Sequence, residues 1–211
     1  MAQVNGLLPA VVIDNQDPDN LGRVKVRIPR AGDGTWVRIA TLMAGNDRGT
    51  WFIPDVNDEV LVAFGEGTER HAYVIGGLWS KTSSPPEKMD ADNNEKVLRS
   101  RNGVKITLDD QSGQENFIVE TPAGQKITLK DGPGAIEITD SNGNSVTLET
   151  SGISVNAAVK VTINASLVEV NSSAVTVNAG MSKFSGVVQC DTLISNSVIS
   201  ASYTPGAGNI L

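Results

Sequence analysis

The stretch from Ile153 to Asn178, ISVNAAVKVTINASLVEVNSSAVTVN, repeats one short pattern. In each copy two aliphatic residues flank a third residue and an asparagine follows: ISVN at 153–156, VTIN at 161–164, VEVN at 168–171 and VTVN at 175–178. β-Branched residues at alternate positions are typical of strands, and asparagine tolerates the left-handed backbone that a sharp corner needs. The pattern therefore predicts a stack of short strands with a corner after each one.

The repeat is too short to form a stack within one chain. Successive asparagines are 8, 7 and 7 residues apart, whereas one coil of a single-chain β-helix needs about 20 residues. The spacing fits one side of a three-sided prism in which three chains wind together and leave no lateral edge free. We therefore predict a homotrimer, with an ordinary antiparallel β-sandwich as the alternative. The core of the trimer is expected to include Val155, Ile163, Val170 and Val177.

Three longer repeats precede this stretch. GVKITLDD begins at Gly103, GQKITLKD at Gly124 and GNSVTLET at Gly143, which are 21 and 19 residues apart. This spacing fits either a meander of hairpins or a wider β-prism. We predict a spike segment over residues 101–202. Residues 81–100 are polar and contain prolines, which predicts a linker or an extended crossing, with a short helix around 92–98 as one option.

The first 80 residues predict a small closed barrel. GRVKVRIP at 22–29 alternates strictly, with Val24, Val26 and Ile28 on one face and charged residues on the other, as in a half-buried strand. Further strands are expected between turn residues, at 8–14, 36–43, 50–53, 59–64 and 71–79. Five or six short strands in succession favour a barrel. The tryptophans are expected in its core or in a trimer contact: Trp36, Trp51 and Trp79.

Composition narrows the possible chemistry. The 211 residues carry a net charge of −7, which disfavours a nucleic-acid partner because phosphate backbones need clustered Lys and Arg. Cys190 and His71 are the only cysteine and the only histidine in the sequence, so a disulfide, a cysteine zinc cluster or a two-histidine site cannot form within it. We expect no catalytic residue, cofactor or metal. No apolar run approaches the length of a membrane span.

The order of motifs in the first segment resembles a known family. GRVKVRIP, WVRIAT at 36–41, WFIP at 51–54 leading into DEVLV at 58–62, and GGLW at 76–79 resemble the OB-fold domain of the central spikes of contractile injection machines. These include phage baseplate assembly protein V and the VgrG spike of type VI secretion. Those spikes continue into a trimeric β-helix. The resemblance implies an all-β homotrimer with an OB-fold barrel at residues 1–80 followed by an intertwined triple-stranded β-helix.

The implied function is structural. Such a spike sits on the axis of a contractile tail baseplate, connects the central hub to the tip and punctures the target cell envelope when the sheath contracts. The implied partners are a baseplate hub protein and a tip protein of the PAAR-repeat type. The implied location is the virion tail baseplate or a phage-tail-like particle, assembled in the host cytoplasm.

The sequence departs from some family members. Residues 81–100 are too short for the lysozyme domain that some spikes carry, and His71 lies in the barrel segment, so the His-x-His metal tip of other spikes is not expected. We expect instead that residues 203–211 form an apex for a separate tip protein. The expected contact residues are Tyr203, Pro205, Gly206, Asn209, Ile210 and Leu211.

Two other function classes remain open at this point. The repeats could form a β-helical enzyme that degrades polysaccharide with paired carboxylates, although residues 151–211 contain only Glu169 and Asp191 as acids. Alternatively, the barrel could be an OB-fold module on a stalk that binds a glycan or an oligonucleotide. In that case the basic face of Arg23, Lys25 and Arg27 would supply the contact.

Overall fold

The computed structural model describes residues 6–29, 31–68, 71–132 and 136–201. These residues form β-strands and one short 3-10 helix, Gly65–Gly67, so the predicted all-β class is confirmed. Among the described residues, no helix has the length and apolar character needed to cross a membrane. The chain divides after Val161 into two units, and the first unit contains a closed barrel and a seven-stranded sheet.

The first sheet is a closed barrel, as predicted. Its strands, in the order in which they pair, are β1 (Leu7–Asp14), β2 (Val24–Ile28), β3 (Ala31–Ile39), β7 (Ala72–Leu78) and β6 (Glu59–Phe64), which pairs back to β1. Only β3 and β7 run parallel. The hairpin of β4 (Ala44–Gly45) and β5 (Arg48–Gly49) projects from this barrel with every residue exposed.

The barrel core consists of small aliphatic side chains. Alternation along β2 buries Val24, Val26 and Ile28, as its pattern predicts. The other core residues are Ala10, Val12, Val37, Val60, Val62, Ala72 and Val74. Placing Trp51 and Trp79 in this core is wrong, since both rings are exposed and Trp36 is only half-buried. Their place in a trimer contact stays a prediction.

The strand expected at 50–53 is also wrong. These residues lie outside every strand, although the Thr50 N–H donates to the Met43 carbonyl at 3.0 Å. Trp51 and Phe52 point into solvent. Their apolar character therefore marks an exposed surface of the barrel, which a strand pattern cannot distinguish from a buried run.

The second sheet is a seven-stranded antiparallel meander of hairpins, as the longer repeats allow; the wider β-prism stays a prediction, because it needs other chains. Each strand pairs with its neighbours in sequence: β8 (Glu95–Arg99), β9 (Lys105–Asp109), β10 (Asn116–Glu120), β11 (Lys126–Lys130), β12 (Ile136–Thr139), β13 (Ser145–Glu149) and β14 (Gly152–Asn156). The short helix considered around 92–98 is wrong because β8 forms there and pairs with β9.

One turn recurs in the sheet and explains the longer repeats. In the first example the Gly103 N–H donates to the Ser100 carbonyl at 2.9 Å, and the Ser100 N–H donates to Val104 at 2.8 Å. Gly103 has a φ of 91°, as required where a type I turn ends in a glycine bulge. The same bonds recur at Thr121–Gln125 and Asp140–Asn144. Each longer repeat is therefore a turn followed by the second strand of a hairpin.

The residues after the sheet behave differently. Residues 157–201 contain no strand, and every side chain in that range is exposed. These residues include three of the four short repeats. Their alternating valines therefore have nothing to pack against within the described part of one chain.

Candidate trimer interface

One face of the seven-stranded sheet is apolar from edge to edge. Side chains at alternate positions share a face, and the strand register aligns them in two rows. The first row is Leu108, Phe117, Leu129, Ile136, Leu148 and Ile153. The second row is Leu98, Ile106, Val119, Ile127, Ile138, Val146 and Val155. We call these thirteen side chains the apolar face; Lys96, at the end of the first row, is its charged neighbour.

The apolar face is uncovered in the single chain. Even Phe117, in the middle of the sheet, is 40% exposed, and Ile153 on the edge strand is 71% exposed. By contrast, core valines of the barrel such as Val12 and Val60 are completely buried. Monomeric soluble proteins rarely leave a contiguous apolar surface of this extent open. The sheet therefore needs a partner on this face.

The opposite face is mainly polar, with Val97 and Ile118 as its apolar residues. Its central row includes Thr107 and Thr128, both buried although they lie on the outer side of the sheet. Charged side chains cover this face in pairs. The Lys105 ammonium lies 2.8 Å from Glu87, and the Lys130 ammonium lies 2.7 Å from Glu137. Long side chains of this kind can shield small ones while their charges stay in water.

The ion pair between Lys105 and Glu87 shifts the pKa values of both groups. The hydrogen bond from Lys105 lowers the pKa of Glu87 below its ordinary value, and the same bond raises the pKa of Lys105. The charged forms of both groups are thus favoured on the polar face. The sheet consequently has one face suited to contact with solvent and one face suited to contact with another protein surface.

Val155 lies on the apolar face, as its predicted role requires, and is 61% exposed in the single chain. Ile163, Val170 and Val177 lie outside the strands and are exposed as well. Their place in a trimer core stays a prediction. Sequence reasoning missed the rest of the apolar face, although the ITL, ITL and VTL triplets at 106–108, 127–129 and 146–148 carried its signal.

The predicted apex residues Tyr203, Pro205, Gly206, Asn209, Ile210 and Leu211 lie outside the described residues. His71 is half-exposed and contacts the Glu66 carboxylate at 2.9 Å. No group of three or more metal-ligating side chains occurs in the described ranges.

The basic face of β2 is partly neutralised by the preceding loop. The Arg23 guanidinium contacts the carboxylates of Asp17, at 2.7 Å, and Asp19, and it lies 6.0 Å from the centre of the Trp36 ring. The hydrogen bond from Arg23 lowers the pKa of Asp17 well below its usual range. A guanidinium engaged in this way has little capacity left for a phosphate.

Two family models match this chain. The type VI secretion system/phage-baseplate injector OB domain matches residues 8–79, which contain the barrel. The phage baseplate V C-terminal trimerisation domain matches residues 116–180, which contain β10–β14 and all four short repeats. Together these ranges cover more than half of the chain.

The chain belongs to the phage baseplate V family. The predicted resemblance is confirmed, and so is a trimerisation domain in the region that carries the repeats. The matched trimerisation range contains ten of the thirteen residues of the apolar face. The uncovered face of the sheet is thus the surface expected of a domain that associates with copies of itself.

Several type VI spike proteins are similar to this chain. VgrG3 of Vibrio cholerae is 29% identical over 133 residues, which are 56% of this chain and 13% of that protein. VgrG4b of Pseudomonas aeruginosa is 32% identical over 114 residues, 48% of this chain and 14% of that protein. The actin cross-linking toxin VgrG1 of Vibrio cholerae is 28% identical over 131 residues, 54% and 12% respectively. The match spans less than a fifth of each relative.

Proposed function

We propose that this protein is the homotrimeric structural spike of a contractile injection system. The observation that carries the proposal is the apolar face, which spans all seven strands of a sheet in a chain with a trimerisation domain. The family match and the likeness to VgrG spike proteins support the same role. The proposal makes no use of catalytic chemistry, a cofactor or a metal.

Three sheets with their apolar faces inward form a triangular prism. Because strands pair about 4.8 Å apart, seven strands extend about 30 Å along the axis. The polar faces, with their lysine–glutamate pairs, form the outside. Beyond the sheet, the short repeats of the three chains wind into an intertwined β-helix in which each chain supplies the strand partners that the others lack.

The proposed domains follow from this arrangement. Residues 1–80 form the OB-fold barrel and residues 81–100 the connection, whose last strand, β8, joins the sheet. Residues 101–202 form the spike, and residues 203–211 form the apex. Val155, Ile163, Val170 and Val177 line the axis of the spike.

A column of this kind transmits axial force because each ladder hydrogen bond lies nearly parallel to the axis and no free sheet edge remains. The proposed trimer connects a baseplate hub protein to a PAAR-type tip protein held by the apex residues. It punctures the target cell envelope when the sheath contracts. It functions in the virion tail baseplate or a phage-tail-like particle, after assembly in the host cytoplasm.

The other function classes receive less support. An enzymatic role has no support from the family models, which describe an OB domain and a trimerisation domain. One relative is named for a toxin activity, but this chain matches only 12% of that protein. An oligonucleotide-binding role is disfavoured by the net charge of −7 and by the engagement of Arg23 with Asp17 and Asp19.

Light scattering after size exclusion tests the proposal. A molar mass three times the 22.2 kDa of the chain is expected, and a monomer would overturn the spike. The apex is tested by deleting residues 203–211 and measuring capture of a PAAR-type protein by the purified trimer. We expect the truncated trimer to keep its mass and lose capture, whereas unchanged capture would remove the apex from the proposal.

A further inference from the structure

The first two strands of the seven-stranded sheet separate positive from negative charge. On the polar face, β8 begins with Glu95 and ends with Arg99, and β9 begins with Lys105 and ends with Asp109. Because the two strands are antiparallel, Glu95 lies directly opposite Asp109 and Arg99 lies directly opposite Lys105. We call Glu95 and Asp109 the acidic corner of the chain, and Arg99 and Lys105 its basic corner.

Both corners are unfavourable within a single chain, because like charges directly opposite each other on paired strands are destabilising. Lys105 has a compensating partner outside the sheet, since its ammonium lies 2.8 Å from Glu87. Glu95 and Arg99 are exposed, and their side chains form no ion pair or hydrogen bond with another residue that the structure describes. The two ends of β8 therefore carry opposite charges that the chain does not compensate.

Strand β11 shows that this arrangement is specific to the first hairpin. It also has a charged residue at each end, but both of them are compensated within the chain. Lys126 lies opposite Glu120, and the Lys130 ammonium lies 2.7 Å from Glu137. The uncompensated charges of β8 are thus an exception within the sheet.

The neighbouring turns extend each corner with the same sign of charge. Arg101 follows the basic corner and Asp110 follows the acidic corner. Both are partly neutralised within the chain, because Arg101 lies 2.7 Å from Asp55 and Asp110 lies 3.6 Å from Lys96. The charges at the ends of β8 are therefore the ones most available to another chain.

Three-fold symmetry brings the two corners together. A rotation about the axis moves no copy along it, so β8 lies at the same height in all three chains of the proposed prism. The strands run across the axis, and the end of β8 in one copy meets the start of β8 in the next. Arg99 then faces Glu95 of the next copy, and on β9 Lys105 faces Asp109 of the next copy.

We propose that the basic corner of each chain pairs with the acidic corner of the next copy and thereby aligns the three sheets. This inference rests on the proposed trimer. The apolar face provides most of the attraction, but it is similar along its whole length and does not define one register. The corners define it, because opposite charges meet only when β8 is level with β8 and all three chains run in the same direction around the axis.

A double-mutant cycle in the full chain tests the pairing. Arg99→Glu and Glu95→Arg each replace a like-charge contact within the hairpin by an opposite-charge contact, so a role within the chain predicts a more stable protein. The corner pairing predicts the reverse, because each single variant places like charges at all three corners. We expect association to weaken roughly tenfold or more for each of them, since three exposed pairs change together. The combined variant restores opposite charges at every corner and should recover the loss.

The distance between the two residues makes the cycle specific. Residues 95 and 99 are four residues apart on one strand, which is about 13 Å, whereas the Debye length at physiological salt is about 8 Å. Their charges therefore interact little within one chain, and recovery in the combined variant reports a contact between copies.

The measurement is the urea concentration at which the trimer dissociates, followed by light scattering at physiological salt and at about 1 M salt, where the Debye length falls to about 3 Å. High salt should remove the difference between the single variants and the wild-type protein. Lys88→Glu is the matched control, because Lys88 is exposed on the connection and its reversal changes the net charge as Arg99→Glu does. It should dissociate like the wild-type protein.

Co-expression of the two single variants gives an independent measurement, which remains informative if either variant alone does not assemble. In a mixed trimer two of the three corners join opposite charges, whereas in either homotrimer all three join like charges. Native mass spectrometry distinguishes the chains by mass. Mixed trimers should exceed the share expected from random assembly.

The outcomes separate the corner pairing from the trimer itself. Single variants that dissociate at the same or a higher urea concentration than the wild-type trimer would overturn the pairing and leave the proposed spike intact. Mixed trimers at or below the random share would also overturn it. A wild-type monomer would overturn both proposals, and the molar mass identifies that case.

Discussion

Replacing Ile127 with aspartate tests the packing of the apolar face at its centre. Ile127 lies on the middle strand β11, opposite Val119 on one side and Ile138 on the other. In the proposed prism it points toward the axis with its two symmetry copies. The substitution therefore places three carboxylates near the axis for each trimer, with apolar neighbours and no cation beside them in the register.

The loss in free energy of association can be estimated from the exposure of Ile127 and from the charge of the introduced aspartate. Ile127 is 41% exposed in the single chain, so covering the rest of it contributes roughly 1 kcal/mol, given 1.5–3 kcal/mol for complete burial. An unpaired buried carboxylate costs about 3–5 kcal/mol. Each chain therefore loses about 4–6 kcal/mol, and the trimer loses about 12–18 kcal/mol. Since 1.4 kcal/mol is a factor of ten, association weakens by about nine orders of magnitude or more.

The assay is molar mass by light scattering over a dilution series. We expect Ile127→Asp to be monomeric at concentrations where the wild-type protein is a trimer. The matched control is Lys126→Asp, because Lys126 is the adjacent residue, is exposed and faces the opposite side of the same strand. Its new carboxylate faces Glu120 across the strand pair, which costs less than about 1 kcal/mol at an exposed site. The control should remain trimeric.

Acidification offers a second check on the same variant. Protonation removes the charge of the introduced carboxyl group, so trimers of Ile127→Asp should begin to re-form as the pH falls toward 4 and below. A stable Ile127→Asp trimer at neutral pH would refute the inward packing of the apolar face. A Lys126→Asp monomer would also contradict it, because the polar face should then be part of the interface.

Three further predictions concern the turns and the repeats. Gly124→Ala should lower the free energy of unfolding by about 1 kcal/mol or more, since Gly124 has a φ of 90°, which L-residues adopt with strain; denaturant unfolding should show this loss. Asp140 has a pKa lowered to about 2 from 3.8, chiefly by hydrogen bonds from Asn144. Its stabilising effect is therefore complete above pH 4 and lost as the pH falls through 2, and Asp140→Ala should flatten that part of the stability–pH curve. Val170→Asp should make residues 157–201 sensitive to protease while the sheets hold the trimeric mass.

Each of these predictions has a result that would contradict it. Gly132→Ala is the matched control for the first, because no atom lies within 4 Å of the added Cβ and its φ is not in the left-handed region; equal losses for both variants would refute the strain. An unchanged acid limb in Asp140→Ala would show that other carboxylates govern it. A Val170→Asp protein that dissociates would assign the association to the repeats rather than to the sheet.

The alternation of apolar and polar residues correctly predicted burial where one side of a strand faces a core within the chain. The alternation of GRVKVRIP correctly predicted which side chains of β2 are buried, and 59–64 matches β6 exactly. It failed at Trp51 and Phe52, because an apolar run carries no information on whether another chain or the same chain covers it. The helix considered at 92–98 failed because pairing with β9 outweighs the weak local preference of a polar segment.

The sequence by itself determined the all-β class and the closed barrel, because both follow from strand periodicity, and its period length predicts that the short repeats need other chains. The sequence also contained the alternation that places the aliphatic side chains of the ITL and VTL triplets on one face of the sheet and the threonines on the other. Only the tertiary structure decided that thirteen such side chains align in two rows, because strand register depends on hairpin turns and on pairing between distant residues. The open apolar groove lined by Met43, Phe52 and Ile75 likewise exists only after the barrel closes, because closure brings residues of the β4–β5 hairpin and of β7 to one surface.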